Sequence, residues 1–140
     1  MPDHGPALAT HIRASASQLA DACTACGACF EACPMVARTP GLHAADPTVV
    51  MSGIRDILRD RHGTEHATTF AAACTRSGVC TEVCPEHIDA AFLMRLASLS
   101  VRGVLGDRPR VSKSHDPRWS ARVKAFARLT LSPREQEDWL

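Results

Sequence analysis

The sequence predicts an all-α fold: two helical hairpins meeting at two cysteine-bearing loops, followed by a helical tail. Three observations carry this expectation. Apolar residues recur at helical spacing along the chain, and no stretch shows convincing strand-type alternation. All seven cysteines fall into two short groups, 23–33 and 74–84, separated by forty residues. Aromatic residues are scarce, four Phe and two Trp with no Tyr in 140 residues. Aromatic side chains supply much of the buried area of ordinary domains, so a chain this poor in them is expected to have a modest core and to need a staple.

The elements follow in order. Leu8, Ile12, Ser15 and Leu19 share one face of a helix that runs up to the first cysteine group. Residues 34–45, with Pro34, Pro40 and Gly41, read as a connector. Asp46-Pro47 is an N-cap followed by proline at the first helical position, and Val50, Ile54, Ile57 and Leu58 form the stripe of the helix it opens. Gly63 supplies the stop, and residues 64–73 form a shorter helix that delivers Cys74. Asp89 caps a helix expected to turn Ile88, Phe92, Leu96 and Leu99 to one side and to end at Gly103. A second connector, 103–117, leads to a helix with Trp119, Val123, Phe126 and Leu129 at helical spacing. Ser132-Pro133-Arg134-Glu135 is a capping box opening a last short helix that carries Trp139. Two parts are expected: residues 1–103 around the cysteines, and a basic linker and tail over 104–140.

Composition excludes several classes. A net charge of +1 points to no particular partner. No segment approaches the roughly 20 apolar residues of a membrane span, and the N-terminus lacks a basic start followed by an apolar run. The chain is therefore expected to be cytoplasmic, or held at the inner face of the membrane through a partner. Clustered cysteines in that setting bind metal more often than they form disulfides.

The first group is Cys23-Thr-Ala-Cys26-Gly-Ala-Cys29-Phe-Glu-Ala-Cys33-Pro34. Three thiolates three residues apart can each take a different iron of a cubane, and Ala25, Gly27 and Ala28 let the backbone come close to its sulfides. The whole C-x2-C-x2-C-x3-C-P run is the spacing of iron–sulfur ligation, whereas zinc sites usually pair two knuckles. The second group, Cys74-Thr-Arg-Ser77-Gly-Val-Cys80-Thr-Glu-Val-Cys84-Pro85, superimposes on the first in register, glycine and proline included, except that Ser77 stands where a cysteine would be. The two runs are an internal repeat with one ligand missing.

In two-cluster ferredoxins the last cysteine of such a run serves the other cluster. If that holds here, Cys23, Cys26, Cys29 and Cys84 make a four-thiolate site suited to [4Fe–4S]. Cys33, Cys74 and Cys80 then make a three-thiolate site suited to [3Fe–4S]. Ser77 then marks the vacant corner; alternatively it ligates a fourth iron through oxygen, or that iron carries water, and these two alternatives leave a second [4Fe–4S] open.

On these motifs, residues 8–103 resemble the α-helical ferredoxin domain. Pro85-x-x-Ile88-Asp89 and the full first motif are similar to the heterodisulfide reductase C-subunit type. The C-x5-C-x3-C-P gap around Ser77 resembles the second motif of succinate dehydrogenase and fumarate reductase iron–sulfur subunits, which holds [3Fe–4S]. The resemblance implies cross-ligation, two clusters in series and assembly into a larger oxidoreductase. The aromatic residues that follow the first motif in the succinate dehydrogenase type are replaced here by Met35-Val36-Ala37.

The remaining polar residues suggest no catalytic set. His62 and His66 are interrupted by Gly63 and read as surface. His87 and Arg76 stand near the second motif, where they could tune a cluster. No nucleotide-binding or nucleic-acid-reading motif is present. Between Val101 and Thr130 the local charge is +6, on what reads as a basic amphipathic helix. The expected role is an electron-transfer subunit without a substrate-converting site, its tail docking through Trp119, Phe126 and Trp139. The expected partner is a catalytic or quinone-facing subunit, such as a heterodisulfide reductase B-like protein or a flavoprotein. A stand-alone ferredoxin-like carrier is the alternative.

Overall fold

Helix α1, Gly5–Ala22, runs directly into the first cysteine loop, which closes on a short helix α2, Ala28–Ala32. The computed structural model describes residues 5–110 and 117–139. After a connector of turns, α3 (Pro47–Leu58) and α4 (Glu65–Ala73) form a hairpin that leads into the second loop and its short helix α5, Val79–Glu82. Helix α6, Ala90–Val101, returns across both. The fold is all-α, with no strand among the described residues.

The starts of these helices are chemically marked. The Asp46 carboxylate accepts the Thr48 and Val49 amides at 2.9 and 3.1 Å. Thr64 Oγ1 accepts the Ala67 amide at 3.1 Å, and Asp89 accepts Phe92 N–H at 2.9 Å. Each cap satisfies a donor that the first helical turn leaves unpaired.

The core lies where α3, α4 and α6 meet, with Val50, Met51, Ile54, Ile57, Phe70, Leu93, Met94 and Leu96 all buried. Small residues share in the packing: Ala67, Ala71 and Ala97 belong to the same core, and Ala16 and Ala20 are buried on α1. Two expected faces are therefore shifted. On α1 the buried positions are Ala16 and Ala20, with Ile12 and Leu19 half-buried and Leu8 exposed. On α6 the buried arc is Ala90, Leu93, Met94, Leu96 and Ala97, while Phe92 is 39% exposed. Helix α6 packs against α1, α3, α4 and α5 together, so its apolar arc is wider than a single stripe and turned away from Phe92.

The chain divides into two compact units, Met1–Arg108 and Pro109–Leu140. In the first unit residues 104–108 fold back: the Arg108 guanidinium donates to the carbonyls of Arg61 and His62. The second unit consists of α7, Pro117–Thr130, and α8, Pro133–Trp139. The capping box is formed there, with Ser132 N–H and Oγ donating to the Glu135 carboxylate at 2.9 and 2.6 Å. On α7, Phe126 and Leu129 are 68% and 85% exposed, and Trp119 and Val123 are also exposed. The Trp139 side chain and residues 111–116 of the second connector lie outside the described residues.

Candidate iron–sulfur centre

The two cysteine loops have the same backbone. Cys23 directly follows α1 as Cys74 directly follows α4. Two residues later comes a non-glycine in the left-handed region, Ala25 at φ 56° and Arg76 at φ 63°. Gly27 at φ 88° and Gly78 at φ 81° then open the short helices α2 and α5. The left-handed conformation is cheap only for glycine, so the recurring glycine is what lets each loop reverse into its helix. The Phe30 amide bonds Gly27 O, and the Thr81 amide bonds Gly78 O, each at 3.0 Å. At the far end of each run, Val36 N–H donates to Cys33 O and His87 N–H to Cys84 O.

The surrounding elements hold the loops together. The Phe30 and Phe70 rings meet edge to face, with centroids 4.9 Å apart, joining α2 to α4. Arg55 Nε donates to Ala20 O at 2.9 Å, and Arg59 pairs with Asp21, so the end of α1 is tied to α3. Thr81 Oγ1 accepts the Ala91 amide at 2.9 Å, fixing α5 against the start of α6.

Two cavities result, of about 390 and 410 Å3 counting the parts open to solvent. The first is bordered by Cys23, Cys26 and Cys29 of the first loop and by Cys84 of the second. The second is bordered by Cys74, Cys80 and Ser77 of the second loop and by Cys33 of the first. Cys29 reaches both. No three His, Cys, Asp or Glu side chains among the described residues converge at single-ion distances. The thiols border spaces rather than a point.

The donor set suits a cationic inorganic core. Burial pushes the Cys29 thiol up to about 12, helped by the neighbouring Cys23, Cys80 and Cys26, and burial raises Cys80 as well. Such thiols give up their protons readily only to a metal that takes over the charge. The Ala25 amide points at Cys23 Sγ, 3.4 Å away, the kind of backbone donor that stabilises a ligating sulfur. Apolar walls of Met51, Ile88, Leu93 and Met94 complete the first cavity.

Several contributors lie outside the residues that the cysteine spacing singles out. Met94, buried on α6, borders both cavities. Met51 Sδ lies 3.5 Å from Cys29 Sγ. Glu86 borders the first cavity although it follows the second motif. Its signal was available in the repeat, since whatever follows a crossing cysteine must approach the opposite site. His62, His66 and His87 are exposed, and none borders either cavity.

A helical fold with two paired cysteine loops defines a dicluster iron–sulfur protein. The 4Fe-4S dicluster domain family matches residues 19–88, half of the chain, and the chain belongs to that family. Iron–sulfur electron transfer is the role that goes with it. Similar proteins are the fumarate reductase iron-sulfur subunits of Escherichia coli O6:H1, Escherichia coli O157:H7 and Shigella flexneri, each 27% identical over 94 residues. The matched region is 64% of this chain but 38% of each relative, so the chain spans well under half of their length. No solved structure matches the chain. Among the described residues no helix is long and apolar enough to cross a membrane.

Proposed function

We propose that the protein is an electron-transfer subunit of a multisubunit oxidoreductase, with two unlike clusters and no substrate-converting site of its own. One observation carries the reading: Cys23, Cys26 and Cys84 border one cavity, Cys33, Cys74 and Cys80 the other, and Cys29 both, with Ser77 also on the second; we assign Cys29 to the first by the repeat. Cys23, Cys26, Cys29 and Cys84 would hold a [4Fe–4S] cluster. Cys33, Cys74 and Cys80 would hold a [3Fe–4S] cluster, with Ser77 facing the missing corner. When bound, such clusters accept and release one electron at a time. The chain's own contribution is to keep water from the buried Cys29 sulfur and to fix the two sites relative to each other through Met94, Phe30 and Phe70.

The assignment is tested by iron quantification and EPR on anaerobically purified protein. An oxidised-state [3Fe–4S] signal with about seven irons per chain supports it. About eight irons and no such signal would instead favour a second reading, two [4Fe–4S] clusters with Ser77 or water as the odd ligand. That Ser77 borders the cavity is what supports this alternative.

The subunit reading draws on the fumarate reductase subunits and on the tail. Residues 1–103 would form the cluster domain and 104–140 the docking arm, with exposed Trp119 and Phe126 as anchors; Trp139 is proposed as a third. The partner would be a catalytic or quinone-facing subunit, of heterodisulfide reductase B-like or flavoprotein type, with the chain cytoplasmic or peripheral to the inner face of the membrane. Purification as a stable monomer that serves unrelated enzymes would identify a stand-alone carrier instead.

A further inference from the structure

We infer that Arg76 and Glu86 drive the potentials of the two sites apart and bias the electron toward the second site; this rests on the two-cluster reading above. The internal repeat provides a controlled comparison, because each position in one copy has its counterpart fifty-one residues away. Among the described residues bordering the first cavity the only charged side chain is Glu86, and among those bordering the second it is Arg76. The counterpart of Arg76 is Ala25, and the counterpart of Glu86 is Met35. Charges common to both copies, Glu31 and Glu82, cancel in the comparison.

Both differences act in one sense. The Glu86 carboxylate disfavours an added electron at the first site, and the Arg76 guanidinium favours one at the second. Backbone conformation does not distinguish the loops here, since Ala25 and Arg76 share the same left-handed geometry. Charge is thus a difference between the sites that acts on matched backbones, in addition to what cluster type and exposure contribute. Arg76 and Glu86 are both exposed, so dissolved salt must weaken their influence.

The test is an EPR-monitored redox titration of the full-length anaerobic protein and of Glu86→Gln, Arg76→Gln, Arg76→Lys and the Glu86→Gln/Arg76→Gln double variant. Glu86→Gln should raise the potential of the first site and leave the second in place. Arg76→Gln should lower the second and leave the first, while Arg76→Lys should restore it. The double variant should weaken the electron's preference for the second site about tenfold, or about 59 mV for a one-electron couple. The shift should shrink as salt is added. With both clusters present, potentials that stay put, or that move together in a single variant, overturn the inference and leave the two-cluster reading standing. Protein that takes up no cluster under reconstitution overturns both.

Discussion

The two cysteine loops share one backbone design and live in different surroundings. In the first, Ala25 and Cys29 are only 9% and 8% exposed, and Gly27 is buried against α3. In the second, Arg76 and Ser77 are exposed, and Gly78, Cys74 and Cys80 are half-buried. The first loop is enclosed by the α1–α3 packing that the Arg55 and Arg59 contacts secure. The second lies between α4 and α6 with its outer side open. The two copies thus differ in enclosure at Ala25/Arg76 and Cys29/Cys80, and in ligand at Cys26/Ser77, where both side chains are exposed.

The sharpest way to break this comparison is to make the same substitution in both copies. A Cβ at Gly27 would lie 2.5 Å from Pro47 Cβ and 3.1 Å from Pro47 C, whereas one at Gly78 meets nothing within 4 Å. Both positions also carry the cost of a side chain at positive φ. Gly27→Ala should therefore destabilise the domain by about 3 kcal/mol, combining overpacking with backbone strain. Gly78→Ala should cost about 1 kcal/mol from strain alone. Anaerobic thermal unfolding with iron retention as a second readout would separate them; equal losses would show that the first loop is not enclosed as described.

A second pair of variants exchanges the ligand difference. Ser77→Cys makes the second loop like the first, and Cys26→Ser makes the first like the second. On the proposed assignment, iron should rise from about seven to about eight per chain in Ser77→Cys, with loss of the [3Fe–4S] signal. Cys26→Ser should lower iron to about six and add a second signal of that type. Both side chains are exposed, so neither exchange should disturb the core. Iron unchanged by Ser77→Cys would favour a fourth iron already bound at that corner.

The loops and the long helices were legible because their signals are local. Asp46-Pro47, Thr64 and Asp89 announce helix starts by their own hydrogen-bonding chemistry, and the repeat announces itself by register. The buried faces were less legible. Phe92 looked like a packing residue by spacing, but α6 is surrounded on several sides, so Leu93, Met94 and Ala97 are buried instead. The short helices α2 and α5 carry too few residues for any periodicity to show. Met94 was invisible as a contributor to the site for a different reason. Its place between the two cavities arises from how α6 crosses both loops, and nothing in the sequence around it differs from ordinary core.

The smallest effect concerns the anchor of the enclosed loop. Pro47, against which Gly27 packs, is held at the start of α3 by the cap at Asp46. Hydrogen bonds from Thr48 and from the Val49 amide lower the Asp46 pKa below its ordinary 3.8. A carboxyl whose folded value is depressed contributes stability that is fully present above its unfolded value and is lost as pH falls through the folded one. Asp46→Ala should therefore lower the unfolding midpoint by a few degrees at neutral pH. The gap to the unsubstituted protein should close only below about pH 4, where the native carboxyl also becomes protonated. Amide exchange at Val49 and Val50 should quicken in the variant, with little change at Val79 and Cys80 in the open loop. A gap that persists unchanged into acid would mean that Asp46 acts through packing rather than through its charged cap. Quickening at Cys80 equal to that at Val50 would show that the two loops share one anchor, and the contrast between an enclosed and an open copy would fail.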